Sequence, residues 1–351
     1  MTLVQPEYSK RQVDRAGDIL AAITTPKPED LLWALKVLAN WRGSHAYPIN
    51  TFQATLRLRL KGIDTNALVA QRMKRTPSIV SKLQRFEGMQ LSRMQDIGGL
   101  RAVVADVKQL RILEKIYENS KFKHKLISFK DYLNEPKRDG YRSIHLVYRY
   151  MNDVSPEYDG LSVELQFRTK LQHAWATSVE TMGTFLGQAL KSGQGENDWR
   201  EFFRRSSAAL AIIEESPPVP GFEGQDKQTV YESVVQSELR LRVLDKLRGF
   251  AVAADRITTE RGQGTYHLVI LNSYDRSVVI KPYAAARLEQ ATLDYAAIEE
   301  RVKAGEPIEA VLVSAGPIET LKKAYPNYFL DTQVFVEQIE KISAFVAFGP
   351  S

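Results

Sequence analysis

The sequence predicts an α+β protein: a mixed β-sheet flanked by helices, then a small C-terminal α+β domain joined by a long helix. Apolar residues follow helical spacing in "PEDLLWALKVLANWRG" and "YPINTFQATLRLRLKG". They alternate with polar residues, as in strands, in "GGLRAVVAD", "SIHLVYRY" and most clearly "LSVELQFRT". The stretch "SPPVPGFEGQ", residues 216–225, contains three prolines and two glycines and predicts a domain boundary.

The remaining elements follow in chain order. A third helix is predicted from about residue 64 to 86, with a break near Pro77, and further helices in "VKQLRILEKIYENS" and "KLQHAWATSVETMGTFLG". After the boundary, a long helical pattern precedes the hairpin "TYHLVILNSYDRSVVIKPY", a helix and the strand "EAVLVSA". We therefore predict a catalytic domain at 1–225, a connecting helix at 226–262 and a C-terminal domain at 263–351.

Composition limits the classes of function. The chain has 351 residues, no cysteine and a net charge of +6. The absence of cysteine excludes disulfides and thiolate zinc sites, and the mild basic excess agrees with a phosphate-bearing partner without demanding one. The polar N-terminus and the lack of a run of eighteen apolar residues predict a cytoplasmic protein with no membrane association.

Basic side chains and a serine share one helix face in "RMKRTPSIVSKLQRF". On a helix that begins near Ser78, the residues Ser78, Lys82 and Arg85 are separated by four and three positions. Arg72 and Lys74 come just before them. Such donors can hold a polyphosphate, although a solvated basic helix face has the same pattern.

Two carboxylates belong to the predicted sheet. Asp96 precedes the double glycine of "QDIGGLRAV", where the backbone can approach a ligand closely, and is a candidate magnesium ligand. An ordinary strand-opening turn would have the same sequence. Glu164 lies on the polar face of "VELQFRT" beside Gln166. A carboxylate in the middle of a sheet costs free energy unless a cation compensates it, so we predict magnesium or an arginine beside Glu164.

The loop "DYLNEPKRDGYRSIH" combines an aromatic ring with cations. Tyr141 stands among Lys137, Arg138 and Arg142. Its ring can stack on a base while the cations hold phosphates; a solvated hairpin loop is the alternative. Three lysines just upstream extend the positive surface, namely Lys121, Lys123 and Lys125.

In this order the four motifs resemble the RelA/SpoT synthetase family, from "NWRGSHAYPINTFQ" (40–53) to "HAWATSVE" (173–180). The resemblance implies a RelA/SpoT nucleotidyltransferase-like fold, with ATP as donor and Mg²⁺ as cofactor. The β,γ-pyrophosphate of ATP would pass to a ribose 3′-hydroxyl. Such a transfer depends on positioning and charge neutralisation, which Mg²⁺, Arg and Lys supply.

The resemblance also implies roles for individual residues. ATP phosphates would be bound by Arg72, Lys74, Ser78 and Lys82. Magnesium would be bound by Asp96 and Glu164, and Glu164 would also orient or deprotonate the nucleophile, with Arg101 and Gln166 in support. The acceptor would be bound by a stacking Tyr141 together with Lys130, Lys137, Arg138, Arg142 and His145.

The C-terminal part resembles the antitoxin module of fused CapRel-type toxin–antitoxin proteins, sometimes called a pseudo-zinc-finger. In those proteins a YxxY motif covers the ATP site, and "YPNY" matches it with Tyr325 and Tyr328. The resemblance implies autoinhibition that a phage protein, such as a major capsid protein, relieves. Two tyrosines that anchor a turn to their own domain would have the same sequence.

We therefore predict an ATP-dependent pyrophosphokinase that modifies the 3′-CCA end of tRNA and acts as a self-silenced toxin. The lysines at 121–125 would then contact the tRNA backbone. The enzymatic alternative is an alarmone synthetase that uses GDP or GTP and carries a regulatory tail. The non-enzymatic alternative is an RNA- or nucleotide-binding module.

Overall fold

The computed structural model describes residues 4–22, 24–186, 196–259, 264–272, 274, 277–306, 308–316, 318–319 and 328–349. The chain forms two compact units. The first contains the residues up to Leu133 together with Ser143–Thr169, and the second contains Asn134–Arg142 together with the chain from Lys170 onward. In the described part of the chain, no helix combines the length and apolar character needed to cross a bilayer.

A five-stranded mixed sheet forms the centre of the first unit. Its strand order is β1-β2-β5-β4-β3, with β2 and β5 parallel and the other neighbours antiparallel. The strands are β1 (Leu68–Met73), β2 (Gly98–Val104), β3 (Lys125–Asp131), β4 (Ile144–Arg149) and β5 (Ser162–Thr169). The predicted α+β class, with a mixed sheet flanked by helices and a second small sheet, is confirmed.

Helices cover the apolar face of this sheet. Alternation along β5 sends Val163, Leu165 and Phe167 into the core, as the sequence predicts. The helix "YPINTFQATLRLRLKG" adds buried residues at helical spacing, among them Ile49 and Phe52. The helices are α1 (Lys10–Ala21), α2 (Pro28–Ser44), α3 (Ala46–Leu60), α4 (Thr76–Arg85) and α5 (Val107–Glu118).

The two edge strands were not predicted. Residues 68–73 form β1 instead of the first half of a helix at 64–86, because "LVAQRM" pairs with β2 along its whole length. Strand β3 was missed because its register shifts between Leu126 and Ser128, which interrupts the alternation. Both strands lie at edges of the sheet, where one side of the backbone has no strand partner and pattern signals are weaker.

The second unit combines a helical core with a small sheet. Its helices are α6 (Lys170–Leu186), α7 (Glu196–Ile213), α8 (Lys227–Leu241), α9 (Val243–Thr259), α10 (Leu288–Lys303) and α11 (Tyr328–Phe348). The strands β6 (Tyr266–Asn272), β7 (Ser277–Tyr283) and β8 (Ile308–Ser314) form an antiparallel sheet in the order β7-β6-β8. The predicted hairpin and the strand "EAVLVSA" correspond to these strands.

The predicted connecting helix at 226–262 is two helices. Arg242 adopts a left-handed conformation, with φ 52°, and ends α8 before α9 begins. Both helices contribute to the same apolar cluster, with Val234 and Leu247 fully buried. The segment therefore belongs to a packed core and does not span a gap between domains.

The compact units also divide at a different place from the predicted boundary at 225. Val219 and Phe222, in the proline-rich segment, are buried in the second unit. Arg204 of α7 donates to the Pro220 carbonyl over 3.0 Å, and its guanidinium lies 4.8 Å from the centre of the Phe222 ring. These contacts fix a segment whose composition alone indicates a linker.

Candidate active site

The strand register brings the predicted polar residues onto one face of the first sheet. Paired residues of neighbouring strands project to the same side. One row contains Arg72, Gly99 and Glu164. The next row, two residues further along the strands, contains Arg101, Gln166, His145 and Lys130. Six residues that the sequence analysis named, from all five strands, therefore share one surface.

Gly99 keeps the space between Arg72 and Glu164 open. It lies opposite Arg72 on one side and Glu164 on the other. A Cβ atom at this position would lie 2.3 Å from the Glu164 carbonyl oxygen. Because Gly99 has no side chain, the Arg72 guanidinium reaches over it, and Arg72 Nη1 lies 3.4 Å from Glu164 Oε2.

Glu164 is surrounded by donors. His145 Nδ1 lies 2.9 Å from Oε1, and Gln166 Nε2 donates to Oε2 over 2.7 Å. Burial by itself raises the pKa of Glu164, but the His145 hydrogen bond and the charges of His145 and Arg72 outweigh burial and lower the pKa. The carboxylate is therefore ionised at neutral pH. The edge of the Tyr132 ring packs against His145, with the ring centres 5.3 Å apart.

Asp96 is held between two lysines. Lys74 Nζ lies 2.8 Å from Oδ2, and Lys82 Nζ lies 2.9 Å from Oδ1. Burial raises the pKa of Asp96, but the two hydrogen bonds and the lysine charges lower it further than burial raises it. One lysine follows β1 and the other belongs to α4, so Asp96 links the predicted phosphate-binding residues to the start of β2.

Asp96 and Glu164 are the two carboxylates of this site that could hold a magnesium ion. The negative charge of Asp96 acts to raise the pKa of Glu164, against the net lowering by its other neighbours. Mg²⁺ is typically held by one or two carboxylates plus phosphate oxygens and waters. In the described part of the chain, no cluster of three or more His, Asp and Glu side chains could hold a metal ion.

Two residues that sequence reasoning quoted but did not assign support this arrangement. Arg42 of α2 donates from Nε to the Lys74 carbonyl over 3.0 Å and from Nη1 to Thr76 Oγ1 over 3.5 Å. It thereby ties the segment between β1 and α4 to the helical layer. His45 is buried, and its Cβ lies 3.0 Å from where a Gly98 Cβ would stand. Both residues lie in "NWRGSHAYPINTFQ", the stretch at which the family resemblance begins, and this resemblance could have identified them.

The other predicted binding residues of the first unit are exposed. Ser78 lies in the first turn of α4, and Lys130 lies on edge strand β3. The three upstream lysines, Lys121, Lys123 and Lys125, are exposed as well, and Lys123 pairs with Asp153. All of them are accessible to a charged ligand.

Within the predicted acceptor loop, 131–145, residues 134–142 belong to the second unit. Tyr141 is half-buried, with Lys137 Nζ 4.9 Å from its ring centre, and Arg138 is exposed. Arg142 differs from its predicted role, because it is only 3% exposed and forms a 2.7 Å ion pair with Glu214. A buried guanidinium with an internal partner cannot present its charge to a nucleotide.

The predicted autoinhibitory pair lies outside the described residues. Tyr325 falls in the undescribed stretch 320–327, and Tyr328 is described only as the first residue of α11, without its side chain. Their predicted contact with the ATP site stays a prediction.

Part of the chain is similar to known proteins. Residues 71–183 match the region found in RelA / SpoT proteins. The GTP pyrophosphokinase YjbM of Bacillus subtilis is 32% identical over 190 residues, which is 50% of this chain and 86% of that protein. A GTP pyrophosphokinase of Escherichia coli K12 is 30% identical over 138 residues, which is 39% of this chain and 17% of that protein.

A solved structure gives a further likeness. It is the small alarmone synthetase 1 of Bacillus subtilis bound to its product pppGpp, which is 29% identical and has a TM-score of 0.40; the match covers 48% of this chain and 90% of that one. The matched relatives that carry a functional name are GTP pyrophosphokinases, so the class of this protein is a pyrophosphoryl transferase. The chain belongs to the RelA/SpoT family, and the resemblance inferred from the sequence motifs is confirmed.

We expect Gly99→Ala to destabilise the protein by about 3 kcal/mol or more, because the added methyl group would overlap a backbone atom that cannot move without breaking the β2–β5 pairing. Its Cβ would also lie 3.2 Å from the Glu164 Cβ and displace that side chain. Urea unfolding measures the change. The control is Gly183→Ala in α6, where nothing lies within 4 Å of an added Cβ. Equal stability of the two variants would contradict the prediction.

Proposed function

We propose that this protein transfers the β,γ-pyrophosphoryl group of ATP to the 3′-hydroxyl of GDP or GTP. The observation that carries the proposal is the charged site at the sheet, where two ionised carboxylates, Asp96 and Glu164, are paired with Arg72 of β1, with Lys74 just after it and with Lys82 of α4. The names of the matched relatives, which are GTP pyrophosphokinases, support the guanine nucleotide as acceptor.

The cationic residues bind the donor nucleotide in this proposal. Lys74, Lys82 and Arg72 bind the phosphates of ATP, and their positive charges stabilise the negative charge that spreads over the transferred group in the transition state. Arg42 keeps Lys74 in place through its backbone carbonyl. The segment from Arg72 to Lys82 therefore works as one preformed phosphate clamp.

Glu164 binds and orients the acceptor hydroxyl in this proposal. Its Oε1 lies against His145, and its Oε2 against Gln166 and Arg72, so the carboxylate is fixed in orientation. As an ionised group it accepts a hydrogen bond from the 3′-hydroxyl and aligns that oxygen for in-line attack. When bound by Asp96 and Glu164, Mg²⁺ supplies further neutralisation of the phosphate oxygens.

One experiment identifies the acceptor. The full chain is incubated with Mg²⁺ and ATP labelled in the γ-phosphate, in separate reactions with GDP, GTP and deacylated tRNA. We expect label on the guanine nucleotide. If only tRNA is labelled, tRNA is the acceptor and the proposal of a guanine nucleotide is wrong. If none of the three molecules is labelled, the proposed transferase activity is rejected.

Deacylated tRNA is the second candidate acceptor, and the exposed lysines Lys121, Lys123 and Lys125 favour it. Such a cluster can neutralise several backbone phosphates, a contact that a mononucleotide does not offer. In this second proposal the enzyme is a toxin that stops translation, and a phage protein bound by the C-terminal part releases it. If tRNA is the acceptor, changing these lysines to glutamine should weaken its modification and reduce the salt dependence of the reaction.

A regulatory role for the tail is part of the same proposal. Tyr325→Ala combined with Tyr328→Ala should increase the activity of the full chain, because the ring contacts with guanidinium groups that the resemblance implies would be lost. The double Phe variant keeps the rings and serves as the control. Activity is measured as label transferred at limiting ATP. If the double Ala variant is no more active than the unmodified chain, "YPNY" has no inhibitory role.

A further inference from the structure

The loop that carries Tyr141 is built into the second unit, although it lies between β3 and β4 in the chain. Residues 134–142 form one compact unit with the chain from Lys170 onward, whereas β3 and β4 belong to the other unit. Tyr141 packs against the apolar cluster of that second unit. The position of the ring is therefore determined by residues far away in sequence.

Arg142 fixes one side of Tyr141. Its Nη1 donates to Glu214 Oε2 over 2.7 Å and to Ser216 Oγ over 2.9 Å, and its Nε donates to Ser207 Oγ over 3.2 Å. Both members of the ion pair are almost fully buried, with 2% and 6% of their side chains exposed. A buried guanidinium needs these partners, because an unpaired charge in this place is strongly unfavourable.

Gly140 fixes the backbone on the other side of Tyr141. Its carbonyl accepts a hydrogen bond of 2.5 Å from Ser207 Oγ. Its φ of +91° favours glycine, and an added Cβ would lie 2.8 Å from the Ser207 Cβ. Within the loop, the Tyr141 amide donates to Asp139 Oδ1 over 3.0 Å, and its carbonyl accepts from the Lys137 amide over 3.1 Å. The backbone on both sides of Tyr141 is thus attached to α7 or to the loop itself.

Glu214 connects this anchor to a second helix. Gln172 of α6 donates to the same carboxylate oxygen, Oε2, over 3.2 Å. The Glu214 carboxylate, which pairs with Arg142, is therefore held by α6 as well as by its own position at the end of α7. A displacement of either helix changes the support of the loop.

We propose that Arg142 and Glu214 are positioning residues that set the affinity for the acceptor nucleotide by holding Tyr141 from the second unit. The proposal rests on the proposed function and on the role predicted from the sequence for Tyr141, whose ring would stack on the acceptor base. Support for the Tyr141 ring then comes from α6 and α7, and any partner that shifts either helix changes the acceptor KM. Lys137 and Arg138 stay exposed in the same loop and contact acceptor phosphates.

The test uses Glu214→Gln in the full chain, which keeps the size of the side chain and removes the charge. We expect the KM for GDP to rise about fivefold or more, with kcat and the KM for ATP changed less than twofold, since ordered stacking is worth about 1–3 kcal/mol per base. Tyr141→Leu should show the same split, and Tyr141→Phe should resemble the unmodified chain. Ser207→Ala is a milder second variant that removes the bond to Gly140.

The matched control is Ser237→Ala. It removes a buried hydrogen bond of 2.9 Å between α7 and α8, donated by Arg205, that does not touch the loop. Its kinetic constants should not change. An unchanged KM for GDP in Glu214→Gln and Ser207→Ala, with Tyr141→Leu impaired, would overturn the proposal, as would equal effects on GDP and ATP.

Hydrogen exchange separates this inference from the proposed function. Glu214→Gln should accelerate exchange of the amides at 137–142 whether or not the chain transfers pyrophosphate to GDP, because it removes the charge partner of Arg142. Ser237→Ala should not. Unchanged exchange in both variants would overturn the anchoring role even if the transferase activity is present, and absence of activity with faster exchange would reject the proposed function alone.

Discussion

Glu164→Gln is expected to reduce pyrophosphoryl transfer by about 10³-fold or more, since both alignment of the acceptor hydroxyl and neutralisation at the metal depend on this one charge. Glutamine has the same shape, and its oxygen can still accept a hydrogen bond. The loss should therefore appear in kcat, with a much smaller change in the unfolding free energy. Initial rates at saturating ATP and acceptor measure the effect.

The control for this substitution is Glu87→Gln, which removes an exposed carboxylate of the same unit. It should leave the rate unchanged. If Glu164→Gln keeps more than about a tenth of the activity, the group does not contribute to the transition state at the level expected for a catalytic carboxylate. A large loss of stability would instead indicate that Glu164 mainly balances the charges of Arg72 and His145.

Lys82→Gln is expected to change two affinities in opposite directions. Lys82 lies 2.9 Å from Asp96 and is also predicted to bind ATP phosphates. Without it, Asp96 loses one of its two cations, so Mg²⁺ in the absence of nucleotide should bind more tightly. The MgATP complex should bind about 10- to 100-fold more weakly, because a hydrogen bond to a charged group contributes about 1.5–3 kcal/mol.

Calorimetric titration with Mg²⁺ alone, and then with a nonhydrolysable ATP analogue and Mg²⁺, measures both quantities without turnover. Lys115→Gln removes the same charge at an exposed position of α5, away from the predicted phosphate-binding residues, and neither affinity should change. The opposite signs are the diagnostic result. A parallel decrease of both affinities in Lys82→Gln would show that Lys82 supports the fold of the site and does not compete with the metal.

We expect the charged side chains of the site to change their ion-pair partners when the nucleotide binds. In the described structure, Lys74 and Lys82 neutralise Asp96, while Arg72, His145 and Gln166 surround Glu164. The same cations are the ones proposed to bind phosphates. The carboxylates therefore keep the phosphate-binding side chains in place beforehand, which reduces the cost of ordering them during binding.

Much of the polar face of the first sheet could be predicted from the sequence, because local residue patterns determine which side chains lie on it. Strict alternation in "VELQFRT" determines that Glu164 and Gln166 share one face and that Val163 and Leu165 share the other. The double glycine at the start of β2 predicted a close approach of the backbone to a ligand; in the structure, Gly99 closely approaches the Glu164 backbone. Such features depend on neighbouring residues only, so the sequence itself contains the information.

The remainder depended on contacts between segments far apart in the chain. No local pattern shows that Arg142 pairs with Glu214, 72 residues away, or that Asp96 is held by Lys74 and Lys82 together. The same holds for Arg242, whose left-handed conformation divides a continuous apolar stripe into two helices. Charge type and strand periodicity are local properties of the sequence, whereas burial and choice of ion-pair partner arise only when distant segments exclude water together.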